Sequence, residues 1–193
     1  MTEVAAFRTA VRHLHAEKDA AYGPAWKRRG ELISVLANLA RKVDRLEQVA
    51  AGALATRDEN VLDTAVDLLV YALKYQTYLA DQDAEVAAYL FGTVQPPYSD
   101  GRGGFEVLLD ALDLTALDDA RTAPGVAEAS AGVVAAFNEL ERCFAEPHAP
   151  TPVGERLNRA ITLTAAAIQV VAALCRETSA LYRDFLAVWG ENA

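Results

Sequence analysis

Cysteine and histidine are scarce in this chain, with two of the first and three of the second among 193 residues. A disulfide framework is thereby excluded, and no second Cys or His stands at the spacing a zinc site needs. Cys143 and Cys175 each lie in an apolar helical context and read as buried thiols. His13 and His15 are two apart and point to different faces of a helix, while His148 lies in a Pro-rich loop. None of the three is expected to ligate a metal.

Positive charge is also in deficit. Lys and Arg number 18 against 27 Asp and Glu, a formal net charge of −9. Gripping a long phosphate backbone requires clustered Lys and Arg, so a long nucleic acid is not an expected partner. A single nucleotide in a local basic pocket, or one held through a metal ion, remains compatible with the balance. Strand signals are missing as well: there are no alternating β-branched runs and no Asn-Gly or Asp-Gly turn between two apolar runs. The N-terminus has no basic segment leading into an apolar run, so no signal peptide is expected. The most apolar stretch, Ala160 to Cys175, is flanked by Arg159 and Arg176, contains Thr162, Thr164 and Gln169, and reads as a core helix rather than a membrane span. These absences point to a cytoplasmic protein.

What the chain has is apolar helix-forming residues. Hydrophobic residues make up 52%, enough for a sizeable core, and Ala and Leu recur at helical spacing throughout. The expectation is an all-α helical bundle. A first helix over about 3–19 carries Val4, Phe7, Val11 and Leu14 on one stripe and ends at Tyr22-Gly23-Pro24. A second, over about 31–51, places Leu32, Val35, Leu36, Leu39, Val43, Leu46 and Val49 on its core face. A third starts near Asp58 as N-cap and runs to Leu79 or on to Phe91. Residues 95–104, Gln-Pro-Pro-Tyr-Ser-Asp-Gly-Arg-Gly-Gly, read as a linker between an N-terminal region, 1–94, and a C-terminal helical region, 105–193, packed on the first. In the second half, helices are expected over about 105–117, 126–145 and 153–189.

Chemistry-bearing residues gather in the first half. On the third helix Glu59, Asp63 and Asp67 are spaced i, i+4, i+8 and lie within about 80° of one another around the axis. Adjacent carboxylates repel unless a cation sits among them, and Mg²⁺ takes oxygen ligands and bridges phosphates. A solvated polar face is the plain alternative. Against it, Asp67 is embedded among Val66, Leu68, Leu69 and Val70, beyond the turns where the helix dipole favours an acid. On the second helix Arg41, Lys42 and Arg45, with Asn38, form a basic spot that suits a phosphate or pairs with the acids of the third helix. Tyr22 and Trp26, near the turn after the first helix, are candidates to stack on a base, or to pack a helix corner.

Three pieces then read together: Tyr22-Gly23 followed by Trp26, Lys42-Val43-Asp44-Arg45-Leu46, and Glu59-Asn60-Val61-Leu62-Asp63-Thr64-Ala65-Val66-Asp67-Leu68-Leu69-Val70-Tyr71-Ala72. In this order and spacing they resemble the nucleotide modification associated domain 1 family, within the all-α NTP pyrophosphohydrolase (MazG-like) superfamily, over roughly residues 15–80. The resemblance implies a MazG-like bundle, dimeric or larger, that binds a nucleoside triphosphate through Mg²⁺ held by acids and cleaves it to monophosphate and pyrophosphate. Asp63 and Asp67 match the acidic pair of the metal-binding helix. The superfamily's enzymes carry a Glu-x-x-Glu pair on the preceding helix, where this chain has Lys42 and Arg45. Glu31 comes too early on that helix to stand in, and Glu47 falls on another face. Three functions are expected in turn: a nucleotide-binding pyrophosphohydrolase, a nucleotide sensor without turnover, and a helical interaction module.

Overall fold

The computed structural model describes residues 2–54, 59–118, 124–145 and 151–190. Every regular element among them is helical, and the chain is an all-α bundle.

Helix α1 (Glu3–Tyr22) starts where Thr2 Oγ1 accepts the Ala5 N–H at 3.3 Å and buries Phe7, Ala10, Val11, Leu14 and His15. Gly23, at φ 50°, ends it, and a 3₁₀ turn over Gly23–Lys27 buries Trp26. The chain then passes Gly30, at φ 81° and ψ −177°. That region of backbone space is essentially closed to residues with a Cβ. Nothing lies within 4 Å of where a Cβ would stand, so the objection to a side chain is conformational and not steric crowding. Gly30→Ala is expected to cost about 2 kcal/mol, seen as a lower urea midpoint at unchanged slope.

After Gly30 the helix begins as a π-helical segment (Glu31–Leu36) and becomes α2 (Ala37–Ala50). Leu39, Val43, Leu46 and Val49 face the core as the periodicity requires. Leu32 does not. It is 59% exposed, and Ile33 is 67% exposed. A π turn closes i→i+5 and takes up more residues than an α turn, which rotates Leu32 off the stripe while Val35 and Leu36 stay buried.

The third helix, α3 (Glu59–Ala80), stops short of Phe91. Asp83 starts a separate helix, α4 (Ala84–Phe91), its Oδ1 accepting the N–H groups of Glu85 at 2.8 Å and Val86 at 3.2 Å. The N-cap expected at Asp58 lies outside the described residues. The helix expected over 105–117 is likewise two, α5 (Gly103–Ala111) and α6 (Thr115–Asp118), because Asp113 accepts from both the backbone and the hydroxyl of Thr115. Then come α7 (Val126–Arg142), α8 (Val153–Glu177) and α9 (Ser179–Gly190). The last two replace the single helix expected over 153–189. They part at Thr178, at φ −129° and ψ 48°, whose hydroxyl turns back onto the Leu174 carbonyl at 2.7 Å.

Helix α8 lies in the middle, packed against both α3 and α7, while α2 packs on α7 and on α3, and α1 on α9. An 18-residue window of α8 has a mean hydropathy of 1.5, long and apolar enough for a membrane span, and 61% of it is buried inside the bundle. Buried residues of both halves form one hydrophobic cluster. The 95–104 segment is folded onto the end of α3: Asp81 accepts the N–H of Tyr98 at 2.8 Å, the N–H of Ser99 at 3.0 Å and the Ser99 hydroxyl. Gly104 presses on the same segment, where an added Cβ would stand 2.1 Å from the Tyr98 carbonyl oxygen. Cys143 and Cys175 are buried free thiols.

Candidate functional site

Polar side chains from α1, α2 and α3 meet around Asp67. The apolar neighbours of Asp67 hold α3 in the core, and the carboxylate reaches out between two ammonium groups. One oxygen accepts from Lys18 on α1, and the other lies 3.2 Å from Lys42 Nζ on α2. All three are partly buried, with side-chain exposures of 19%, 39% and 24% for Asp67, Lys18 and Lys42. Lys42 Nζ also stands 5.8 Å from the centre of the Tyr71 ring, one turn along α3. Burial holds the Tyr71 hydroxyl above the usual tyrosine range, and the Asp67 charge adds to it. Arg41 pulls the other way and Tyr22 pushes weakly upward, so Tyr71 senses Asp67, Arg41 and Tyr22 together.

A second polar group sits one turn further along. Lys74, 10% exposed at its side chain, lies 3.8 Å from Asp19 and 4.8 Å from the centre of the Trp26 ring. Burial lowers its pKa to about 8, with Asp19 opposing that shift and Lys27 adding to it. Lys27 in turn donates to Ser99 Oγ at 2.6 Å and pairs with Asp100 at 2.7 Å.

The structure therefore brings together Lys42, Asp67 and Tyr71, with Arg41 and Tyr22 close enough to act on the same hydroxyl. Lys18 belongs to this cluster, and the sequence pattern did not single it out. Its signal was its place one turn before Tyr22. Tyr22 is 71% exposed and offers an open ring. Trp26 does not: it is 6% exposed, under Lys74 and edge-on to Tyr78 at 6.3 Å, so it packs the corner. Arg45 is half-buried on α2, and Arg41 is exposed and donates to Asn38 Oδ1. Asp63, one turn before Asp67 on α3, is exposed and lines a shallow cleft with Leu181, Asp184 and Trp189 of α9. The side chain of Glu59 lies outside the described residues. Among those described, no three His, Cys, Asp or Glu side chains converge as a metal-holding group.

A separate buried cluster was not foreseen. Glu31, set aside in the sequence as too early on its helix, accepts from the Tyr75 hydroxyl and pairs with Arg156 of α8. Nothing local marks this, since Arg156 is 125 residues away.

Set against protein-family models, curated proteins and solved structures, the chain matches none of them.

Proposed function

We propose that this chain binds a nucleoside phosphate, taking the phosphates at the Lys18–Asp67–Lys42 cluster and presenting Tyr22 to the base. The observation that carries the reading is a half-buried carboxylate held between two ammonium groups, beside an open aromatic ring. The pieces that resemble the MazG-like superfamily are far apart in sequence, and Lys42, Asp67 and Tyr71 from those pieces meet, with Tyr22 acting on the Tyr71 hydroxyl. An incoming phosphate would exchange with Asp67 for Lys18 and Lys42, with Arg41 adding a planar fork. The homodimer implied by the resemblance and the cytoplasmic location expected from the sequence belong to the same proposal.

Mg²⁺ enters this reading with the nucleotide. It keeps several waters and is typically bound through one or two carboxylates plus substrate phosphates. Asp67 is the carboxylate positioned for that role, with Asp63 one turn earlier and Glu59 one turn before that. The donor set around Asp67 fits an ion carried in by phosphate better than one caged by protein. Lys42 and Arg45 standing where an acid pair would stand favour binding as a sensor over pyrophosphohydrolysis.

The test is a thermal-shift screen of the protein against nucleoside mono-, di- and triphosphates, with and without Mg²⁺. A ligand that binds only the folded state stabilises it by about 2.7 kcal/mol at a hundredfold excess over its Kd. A shift with one nucleotide class is expected, weakened about tenfold in affinity by Lys42→Ala, with its Mg²⁺-dependent part abolished by Asp67→Asn. A flat response across the panel overturns the reading in favour of an interaction module. Pyrophosphate released in the same samples decides for hydrolysis over sensing.

A further inference from the structure

The acids of this protein outnumber its bases, and many of its arginines are neutralised. Arg12, Arg102, Arg142, Arg156, Arg159 and Arg176 each lie within ion-pair distance of a carboxylate. Arg28, Arg29 and Arg41 differ. They line one cleft of about 320 Å³ together with Ser34 and Asn38, and none of the three forms an ion pair with a described carboxylate. Gathering three like charges without a counter-charge is unfavourable, more so when 27 acidic residues are available to quench them.

The backbone builds this arrangement. Gly30, in its left-handed conformation, turns the chain directly after Arg28-Arg29 and into the π-helical segment. The Arg29 N–H donates to Ser34 Oγ at 3.0 Å across that turn. Asn38 Nδ2 donates to the Ser34 carbonyl at 2.8 Å, and its Oδ1 accepts from Arg41, which fixes the third guanidinium along the same wall. A π turn inside a helix is a frequent companion of functional sites.

We infer that the Arg28–Arg29–Arg41 cleft is a binding site for a compact polyanion of the polyphosphate class, such as the distal phosphates of a nucleotide. Planar guanidinium groups match phosphate oxygens in pairs. The volume suits a small anion, and the net charge of −9 repels a long one. As the seat of a nucleotide's distal phosphates the cleft rests on the nucleotide reading, through Arg41, which borders both places; as a polyphosphate site it rests on the arginines alone.

The experiment is isothermal titration of inorganic tripolyphosphate into the full chain without divalent metal, at low and at physiological salt. Wild type is expected to bind one equivalent saturably, more weakly at higher salt. The Arg28→Ala/Arg29→Ala double variant, at exposed positions and with an unchanged melting curve, is expected to lose at least about tenfold in affinity. Arg41→Gln, which removes the third guanidinium and keeps the turn intact, is expected to weaken binding in the same direction. No saturable binding by wild type, or equal affinity in the double variant, overturns the inference. So does stronger competition from an acidic peptide or an oligonucleotide than from pyrophosphate. The two readings fail separately. Nucleotide binding by the wild type with equal tripolyphosphate affinity in the double variant removes the cleft alone, and tripolyphosphate binding without any nucleotide response removes the nucleotide alone.

Discussion

Glu31→Ala is expected to destabilise the fold by about 3 kcal/mol, lowering the melting temperature by roughly 10 °C for a domain of this size. The Glu31 carboxylate and the Arg156 guanidinium are 14% and 9% exposed, and Tyr75 is fully buried. Removing the acid leaves a buried cation facing an empty place and a buried hydroxyl with no acceptor. Arg156 Nε already lacks a hydrogen-bond partner among the described residues, and the guanidinium carbon lies 5.7 Å from the centre of the Phe144 ring, a weak substitute for a counter-charge. Burial, and then the Glu31 charge, raise the Tyr75 hydroxyl well above the usual range, so the phenol stays a donor at every accessible pH. Glu31→Gln keeps an acceptor for Tyr75 while losing the ion pair, and should fall between wild type and Ala. Replacing Glu31 and Arg156 together by apolar residues of similar volume is expected to recover most of the loss, because the cost belongs to the orphaned charge and not to the missing pair. Urea unfolding of the set is the measurement. Equal stability of wild type and Glu31→Ala would show that water neutralises Arg156 adequately.

Stability is expected to fall by about 2–3 kcal/mol between pH 7 and pH 4.5 through His15 alone. Its ring is 1% exposed, stacks on Phe105 at 3.7 Å between centroids, and finds no partner for either nitrogen among the described residues. Burial lowers its pKa to about 3, with Lys74 and Arg102 adding to the effect. The folded chain thus keeps a neutral ring where the unfolded chain, with an ordinary value near 6.5, takes up a proton. Above that ordinary value the two states are alike. As the pH drops below it, protonation draws the equilibrium toward the unfolded chain, and the loss grows until the folded value is reached. His15→Leu removes the titration, so its stability should decline less over the same interval by that amount. It should also gain about 1 kcal/mol at pH 7, since two buried polar atoms lose their unmet need for a partner. The carboxylates titrate in both proteins, so the difference between the two curves isolates His15. Parallel curves would show that the ring is hydrated or paired.

Much of this architecture is written in local pattern, and the parts that are not have identifiable causes. Leu39, Val43, Leu46 and Val49 sit where a 3.6-residue period places them, and so do Phe7, Val11 and Leu14. The π-helical start of the second helix is made of residues that read equally well as α, so the rotation of Leu32 into solvent has no local signature. The break at Thr178 has none either, because neither glycine nor proline marks it; the hydroxyl's turn back onto Leu174 does. The break before α4 was more accessible, since Asp83 followed by Glu85 is an N-terminal signal. Within the candidate site, Lys42 and Asp67 were visible as a basic and an acidic spot on adjacent helices. Lys18 was not, because its role depends on how α1 crosses α3. Trp26 suits either a base-stacking ring or a packed helix corner by its sequence, and its burial under Lys74 leaves the corner. Glu31 and Arg156 lie beyond any local reading, since only the packing of α8 brings them together.

The central place of α8 bears on what can be transplanted from this protein. The stretch that carries the family resemblance ends near residue 80, yet α8 packs on α3 within it and sends Arg156 to Glu31. Excised for a fusion or grafted into another scaffold, that stretch would carry the Lys18, Lys42 and Asp67 side chains but lose the wall that keeps α3 dry. Evolution faces the same constraint: the two halves must drift as one inheritance, and a recombination breakpoint at residues 95–104 would separate what a single core holds in common.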